Sequence, residues 1–239
     1  MCVGVGSLQD PKTRQGLAHF LEHMLFLGTE KYPDVDEYST YLRNNGGMSN
    51  AYTAGDHTNY QFQVFPDAFE GALDRFSQFF IAPLFTAEYT DREKNAVHSE
   101  YQKNKMNDNW REQQIVFSFA RDGHPQQKFN IGNMETLGDI KNDELLEFYN
   151  NEYSANRMSL AVLSNHSLDD MEKWYRKYFS MVPNHDLENI IYDHNVFERK
   201  KTFRLVNIEP VKDIRALEIS FALPGICLLY TSPSQRDRG

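Results

Sequence analysis

Cysteine is nearly absent: the 239 residues include only Cys2 and Cys227, one near each end. Neither stands in a C-x-x-C pair or another ligand spacing, so a disulfide framework is not expected, and the compartment stays open between periplasm and cytoplasm. No apolar run reaches about 18 residues, so no membrane-spanning helix is expected. Dense Lys/Arg blocks are missing as well. Acidic residues outnumber basic ones 34 to 25, for a formal charge of -9, which makes nucleic acid a poor partner. No internal repeat is found. The opening Met-Cys-Val-Gly-Val-Gly lacks the basic start and long apolar stretch of a signal peptide. Its alternation reads as the interior of a strand, so the natural N-terminus is expected to lie further upstream.

What remains is the composition of a folded chain, with 40% hydrophobic and 13% aromatic residues. The length suits one large domain or two modest lobes. Residues 2–6 read as a strand broken by Asp10-Pro11, and 15–27 as a helix stopped by Gly28. A second helix is expected over 34–45, ended by Gly46-Gly47, then strands over 49–54 and 58–65. An amphipathic helix covers 67–82. A long helix is expected over 91–121, opened by Thr90-Asp91-Arg92-Glu93 as a capping box. Residues 122–138 read as a loop, 142–151 and 167–179 as helices, and 158–163, 202–208 and 216–222 as strands. Consecutive paired strands among helices predict an α+β sandwich, an antiparallel-rich sheet with helices packed on one face. The stretch Leu228–Gly239 has no periodicity and resembles translated adapter sequence, so 226–239 is set apart as a non-native tail.

One segment carries the chemistry. In Leu17-Ala18-His19-Phe20-Leu21-Glu22-His23-Met24-Leu25-Phe26-Leu27 nearly every position is apolar. A helix apolar on most sides is buried, and buried ionisable groups are costly unless paired or metal-bound. His19 and His23, four residues apart, share a face about 6 Å apart along the axis, and Glu22 borders it. Such a cluster calls for a cation, and zinc suits imidazole ligands. Glu22 is poorly placed as a third ligand and better placed to take a proton from a metal-activated water. A pair of satisfied core histidines is the competing reading. The H-x-x-E-H order in this apolar setting argues against it, because it is the inverse of the H-E-x-x-H zinc-peptidase motif.

A third ligand must come from elsewhere, and the long helix offers Glu93 and Glu100. Seven residues is close to two turns, so they share a face about 10 Å apart along the axis, and both cannot bind one ion. Spacing alone does not choose between them. His98 faces away from Glu100. The stretch Gly46-Gly47-Met48-Ser49-Asn50-Ala51-Tyr52-Thr53 reads as a tight turn followed by a strand that could pair with an extended peptide, or as an ordinary hairpin entry.

Taken together, His-Phe-Leu-Glu-His-Met with Gly28-Thr29, then Gly-Gly-Met-Ser-Asn-Ala-Tyr-Thr, then Glu93-Lys-Asn-Ala-Val-His-Ser-Glu100, resemble the M16 metallopeptidases, and most of all the insulysin, pitrilysin and nardilysin branch. His57-Thr58-Asn59-Tyr60 and Gly132-Asn133-Met134-Glu135-Thr136-Leu137 add to the likeness, which runs over about residues 2 to 225. The resemblance implies a zinc-dependent endopeptidase acting on oligopeptides. It makes His19, His23 and Glu100 the zinc ligands, Glu22 the base and Glu93 an auxiliary acidic residue. It puts Asn50 and Ala51 on the strand that holds the substrate main chain. It also implies that the chain is one N-terminal lobe (1–225), with a zinc-bearing block over 1–138 and the start of a following block over 139–225. The later half of a longer parent, which closes the chamber, is then missing, and weak or no activity is expected of the fragment alone. A homo-oligomer is compatible with the resemblance. The alternatives are a non-catalytic peptide-binding or assembly subunit, against which the intact motif argues, and a processing peptidase acting as one subunit of a hetero-oligomer.

Overall fold

A hairpin forms the body of the sheet. Strands β2 (Met48–Thr53) and β3 (Thr58–Gln63) pair antiparallel from Met48 opposite Gln63 to Thr53 opposite Thr58. Alternation sorts the two faces, since successive strand side chains point to opposite sides. Ser49, Ala51 and Thr53 turn with Thr58, Tyr60 and Phe62 toward the helices, whereas Met48, Asn50, Gln61 and Gln63 are exposed. Two short strands complete the sheet in the order β2-β3-β1-β4: β1 (Cys2–Val3) lies antiparallel between β3 and β4 (Met158–Ser159). The structure, a computed structural model, describes residues 1–198 and 204–221.

Eight α-helices surround this sheet among the described residues: α1 (Leu17–Met24), α2 (Glu37–Asn44), α3 (Phe69–Ser77), α4 (Ala87–Lys105), α5 (Asp108–Ser118), α6 (Met134–Leu137), α7 (Asn142–Glu152) and α8 (Leu168–Phe179). The α+β architecture expected from the sequence is the one observed. Helix α1 is its centre. Leu17, Ala18, Phe20, Leu21 and Met24 are buried, in one core with Tyr60, Phe76, Phe79 and Phe80. Each large side chain there contributes about 1.5–3 kcal/mol. That sum outweighs the several kcal/mol it costs to bury a single carboxylate, Glu22, on the same helix.

Some local expectations differ from the structure. The expected helix over 91–121 begins earlier, at Ala87, and is interrupted after Lys105; α5 restarts where the Asn107 side chain accepts from the Asn109 amide. Thr90 therefore lies inside α4 and is no N-cap; its hydroxyl donates back to the Thr86 carbonyl at 3.0 Å. The strand expected over 158–163 pairs only at Met158–Ser159, although exposure keeps alternating as far as His166. Residues 204–208 and 216–221 form no strand; positions 202, 203 and 222, Cys227 and the segment 226–239 lie outside the described residues.

The start of α1 is held by a residue with no motif around it. Asp10 is buried, and its carboxylate accepts from the Gly16 amide at 2.7 Å and the Ala18 amide at 2.8 Å, two amides left unsatisfied at a helix N-terminus. Lys128 Nζ donates to the Leu8 and Asp10 carbonyls and holds that turn in place. Asp10→Ala should lower the unfolding free energy by about 2 kcal/mol, from the lost cap and the amides left buried. Thermal denaturation should show this as a fall of about 4–8 °C in Tm.

Candidate metal centre

Helix α1 packs against α4, and the contact sets two imidazoles beside one carboxylate. His19 Nε2 and His23 Nε2 stand 3.6 and 3.7 Å from Glu100 Oε2. One ligand atom from each of the three residues lies within 4.8 Å of the others. Donors about 2.1 Å from a tetrahedral zinc are themselves about 3.4 Å apart, so these separations match one small divalent ion. The imidazole rings meet edge-on at 85°, with centroids 4.8 Å apart.

The other ring nitrogens are already engaged. His19 Nδ1 lies 2.7 Å from the Ile131 carbonyl oxygen, which can only accept, so Nδ1 carries the hydrogen and Nε2 keeps its lone pair. His23 Nδ1 lies 3.2 Å from Glu93 Oε2, so Nδ1 carries a hydrogen and Nε2 is the nitrogen left to face Glu100. Glu93 is thus set behind His23, on the far side from the three clustered donors. Glu22, only 6% exposed, accepts a 2.6 Å hydrogen bond at Oε2 from the Thr53 hydroxyl on β2. His98 lies outside the cluster; its Nδ1 accepts from the Met134 amide at 3.4 Å.

Charges in this cleft are strongly coupled. Burial opposes charging His23, but Glu100 and Glu93 outweigh it and draw the ring up to about 9 from an ordinary 6.5. Contact with His23 holds the Glu100 carboxyl below its ordinary value despite burial. Burial pushes Glu93 up, but His23 and Arg92 more than compensate, and it too is lowered. Glu22 is raised: burial, the largest influence, outweighs the opposing pull of the imidazoles and Thr53, and the like charge of Glu100 adds a smaller push.

The cluster opens into a cleft of about 620 Å³. Asn50 and Ala51 line one wall, on a strand whose outer edge has no ladder partner among the described residues. Phe26, Trp110 and Ile131 line the rest of it. Sequence reasoning had no part for Thr53 or Ile131. Thr53 sits in the Gly-Gly-containing stretch, where only its small polar side chain gave a signal. Ile131 acts through its backbone, which any residue type would supply.

The chain is similar to known proteins along most of its length. The family model described as Insulinase (Peptidase family M16) matches residues 1–128, and that described as Peptidase M16 inactive domain matches 139–236. The A-factor-processing enzyme of Saccharomyces cerevisiae is 46% identical over 93% of this chain and 22% of its own length. Insulin-degrading enzyme of Homo sapiens is 46% identical over 90% of the chain and 22% of its own length. Nardilysin of Rattus norvegicus is 43% identical over 94% and 20%. A crystal structure of pitrilysin superposes with a TM-score of 0.79 at 37% identity, covering 82% of this chain and 22% of that one. The chain thus spans about a fifth of the length of these relatives.

The titration of His23 predicts how the metal-free chain responds to pH. Its pKa is raised on folding, so its ion pairs stabilise fully below 6.5 and are lost as pH rises through about 9. The lowered carboxyls of Glu93 and Glu100 act at the other end, and their contribution is lost as pH falls through the carboxylate range. Urea midpoints of chelator-treated protein should therefore decline between pH 6.5 and 9. His23→Gln should flatten most of that decline.

Proposed function

Because the chain belongs to the M16 peptidase family, we propose that it is the metal-binding part of a longer zinc-dependent endopeptidase that cleaves oligopeptides. The observation that carries this reading is the convergence of His19 Nε2, His23 Nε2 and Glu100 Oε2 from two helices, with both histidine Nδ1 atoms engaged elsewhere. In this reading those three residues hold zinc; a protein of Schizosaccharomyces pombe named putative zinc protease mug138 is 43% identical over 93% of the chain. When bound, zinc supplies a Lewis acid that polarises a carbonyl and acidifies water to a pKa of about 7.

The chain's own residues then divide the work. Glu22, with Oε2 held by Thr53, offers Oε1 to take a proton from the attacking water and return it to the departing amine. A carboxyl already raised by burial is the better suited to exchange protons near neutral pH. Glu93 fixes the orientation of His23 without binding the metal. The edge of β2 at Asn50 and Ala51, without a ladder partner among the described residues, accepts an extended peptide through main-chain hydrogen bonds. The substrate is a peptide in this reading, and one relative is named insulin-degrading enzyme. The remaining length of the parent would close the chamber, so the chain alone is expected to bind metal while cleaving peptides weakly or not at all. Residues 1–138 form the zinc-bearing block in this reading, and 139–225 begin the next.

Metal analysis of the purified chain separates the roles. Wild type should carry one zinc per chain, and Glu22→Gln should carry the same. His19→Ala and Glu100→Gln should lose stoichiometric zinc. In the longer parent, Glu22→Gln should lower kcat by a factor of about 10²–10⁴ with KM little changed. A wild-type chain without zinc, or a Glu22→Gln parent of normal rate, would overturn the reading.

A further inference from the structure

The backbone contact that aims His19 comes from two glycines distant in sequence. Gly16 ends the loop before α1, and Gly132 follows the carbonyl that His19 meets. Both have left-handed backbones, with φ of 91° and 88°. They touch: a Cβ on Gly16 would stand 2.3 Å from both Gly132 Cα and Gly132 N, and 2.8 Å from the Ile131 carbonyl carbon. Such distances are closed to any side chain, and the atoms met are backbone, which cannot swing aside. Gly16 is itself pinned, since its amide donates to buried Asp10 and its carbonyl accepts from the Phe20 amide inside α1. The register of the 131–132 peptide against α1 is thus set at the helix's first turn. His19 lies three residues further along, and its Nδ1 donates to the Ile131 carbonyl at 2.7 Å.

We propose that the Gly16–Gly132 contact is a positioning device for the metal centre: it presses the Ile131 carbonyl onto His19 Nδ1 and so fixes the tautomer and ring angle that turn Nε2 toward the metal. The inference rests on the zinc reading above and adds residues that bind neither metal nor substrate. A neutral imidazole carries its hydrogen on either nitrogen, and a hydrogen on Nε2 blocks coordination there. A single fixed acceptor at Nδ1 removes that competing form. Partners of this kind typically change metal affinity by about 10- to 100-fold when lost. Glu93 serves His23 in the same way with a carboxylate, but a neutral carbonyl beside His19 adds no further negative charge to a cleft that already holds three carboxylates.

Three forms of the 239-residue chain test this. Gly16→Ala drives a methyl into the 131–132 peptide. Gly123→Ala imposes the same kind of backbone strain, at φ 79°, where nothing lies within 4 Å of the added carbon, and so controls for strain alone. Glycolate incorporated in place of Gly132 turns the Ile131 carbonyl into an ester, a weaker acceptor, and adds no atom. Zinc affinity is read by chelator competition, and the His19 ring is read by ¹⁵N NMR of the metal-free protein. Gly16→Ala and the ester should each weaken zinc binding on the order of 10-fold and move the His19 ring nitrogens from the single Nδ1–H form toward a tautomer mixture. Gly123→Ala should lose stability with neither effect. If Gly16→Ala does not fold, the ester decides. Unchanged zinc affinity and unchanged His19 nitrogen shifts in the ester form would overturn the proposal while wild type still binds zinc. A wild type that takes up no zinc would instead overturn the zinc reading, and the NMR arm would still judge the orientation of His19.

Discussion

The constraint on which this structure turns is one of charge. Glu22, Glu93 and Glu100 share a cleft with two imidazoles, and Arg92, 3.4 Å from Glu93, adds a cation at its margin. Water would screen such a group at the surface, but Glu22 is almost fully buried and Glu93 is largely covered. The metal-free protein answers by holding a proton on His23 well above the ordinary range and by raising Glu22. Both are signs of an arrangement that a divalent cation would relax. Replacing a buried charged cluster by apolar residues is often neutral or stabilising, so stability alone gives no reason to keep one. The apolar packing of α1 tolerates the cluster, and stability does not account for it.

Much of this was legible because helices repeat. The spacing of His19 and His23 is the spacing of one helical turn, and the apolar residues around them marked the helix as buried before any contact was known. The same periodicity could not separate Glu93 from Glu100, which lie on one face of α4. What distinguishes them is how α4 packs on α1, with Glu100 in front of both Nε2 atoms and Glu93 behind His23. Residue types do not encode that packing. The motif resemblance implies the ligand's part for Glu100 and the supporting part for Glu93.

The illegible features share a cause. Ile131 contributes a carbonyl, and its partner is 112 residues away. Asp10 caps a helix from six and eight residues upstream of the amides it meets, outside the local window in which capping motifs are read. Thr90 satisfies a capping box in letters, yet α4 begins a turn earlier and its hydroxyl bonds within the helix. The strand expected beyond Ser159 keeps its alternation, but a ladder needs a second strand, and alternation cannot say where that strand is.

These long-range contacts also explain why the centre belongs to the fold and not to the helix that bears its motif. Helix α1 supplies both imidazoles and the buried carboxylate, but each is held by a different element: His19 by the loop at Ile131, His23 by Glu93 on α4, and Glu22 by Thr53 on β2. An isolated α1 of eight residues would be too short to persist in water, and would present its side chains in many rotamers. Ordering those side chains is an entropic cost that the fold meets before a ligand arrives, which is what gives a preorganised site its affinity. The converse also holds. A ligand that binds only the ordered cluster stabilises every element that orders it, so occupation of this centre should be felt in α1, α4, β2 and the loop at Ile131 together.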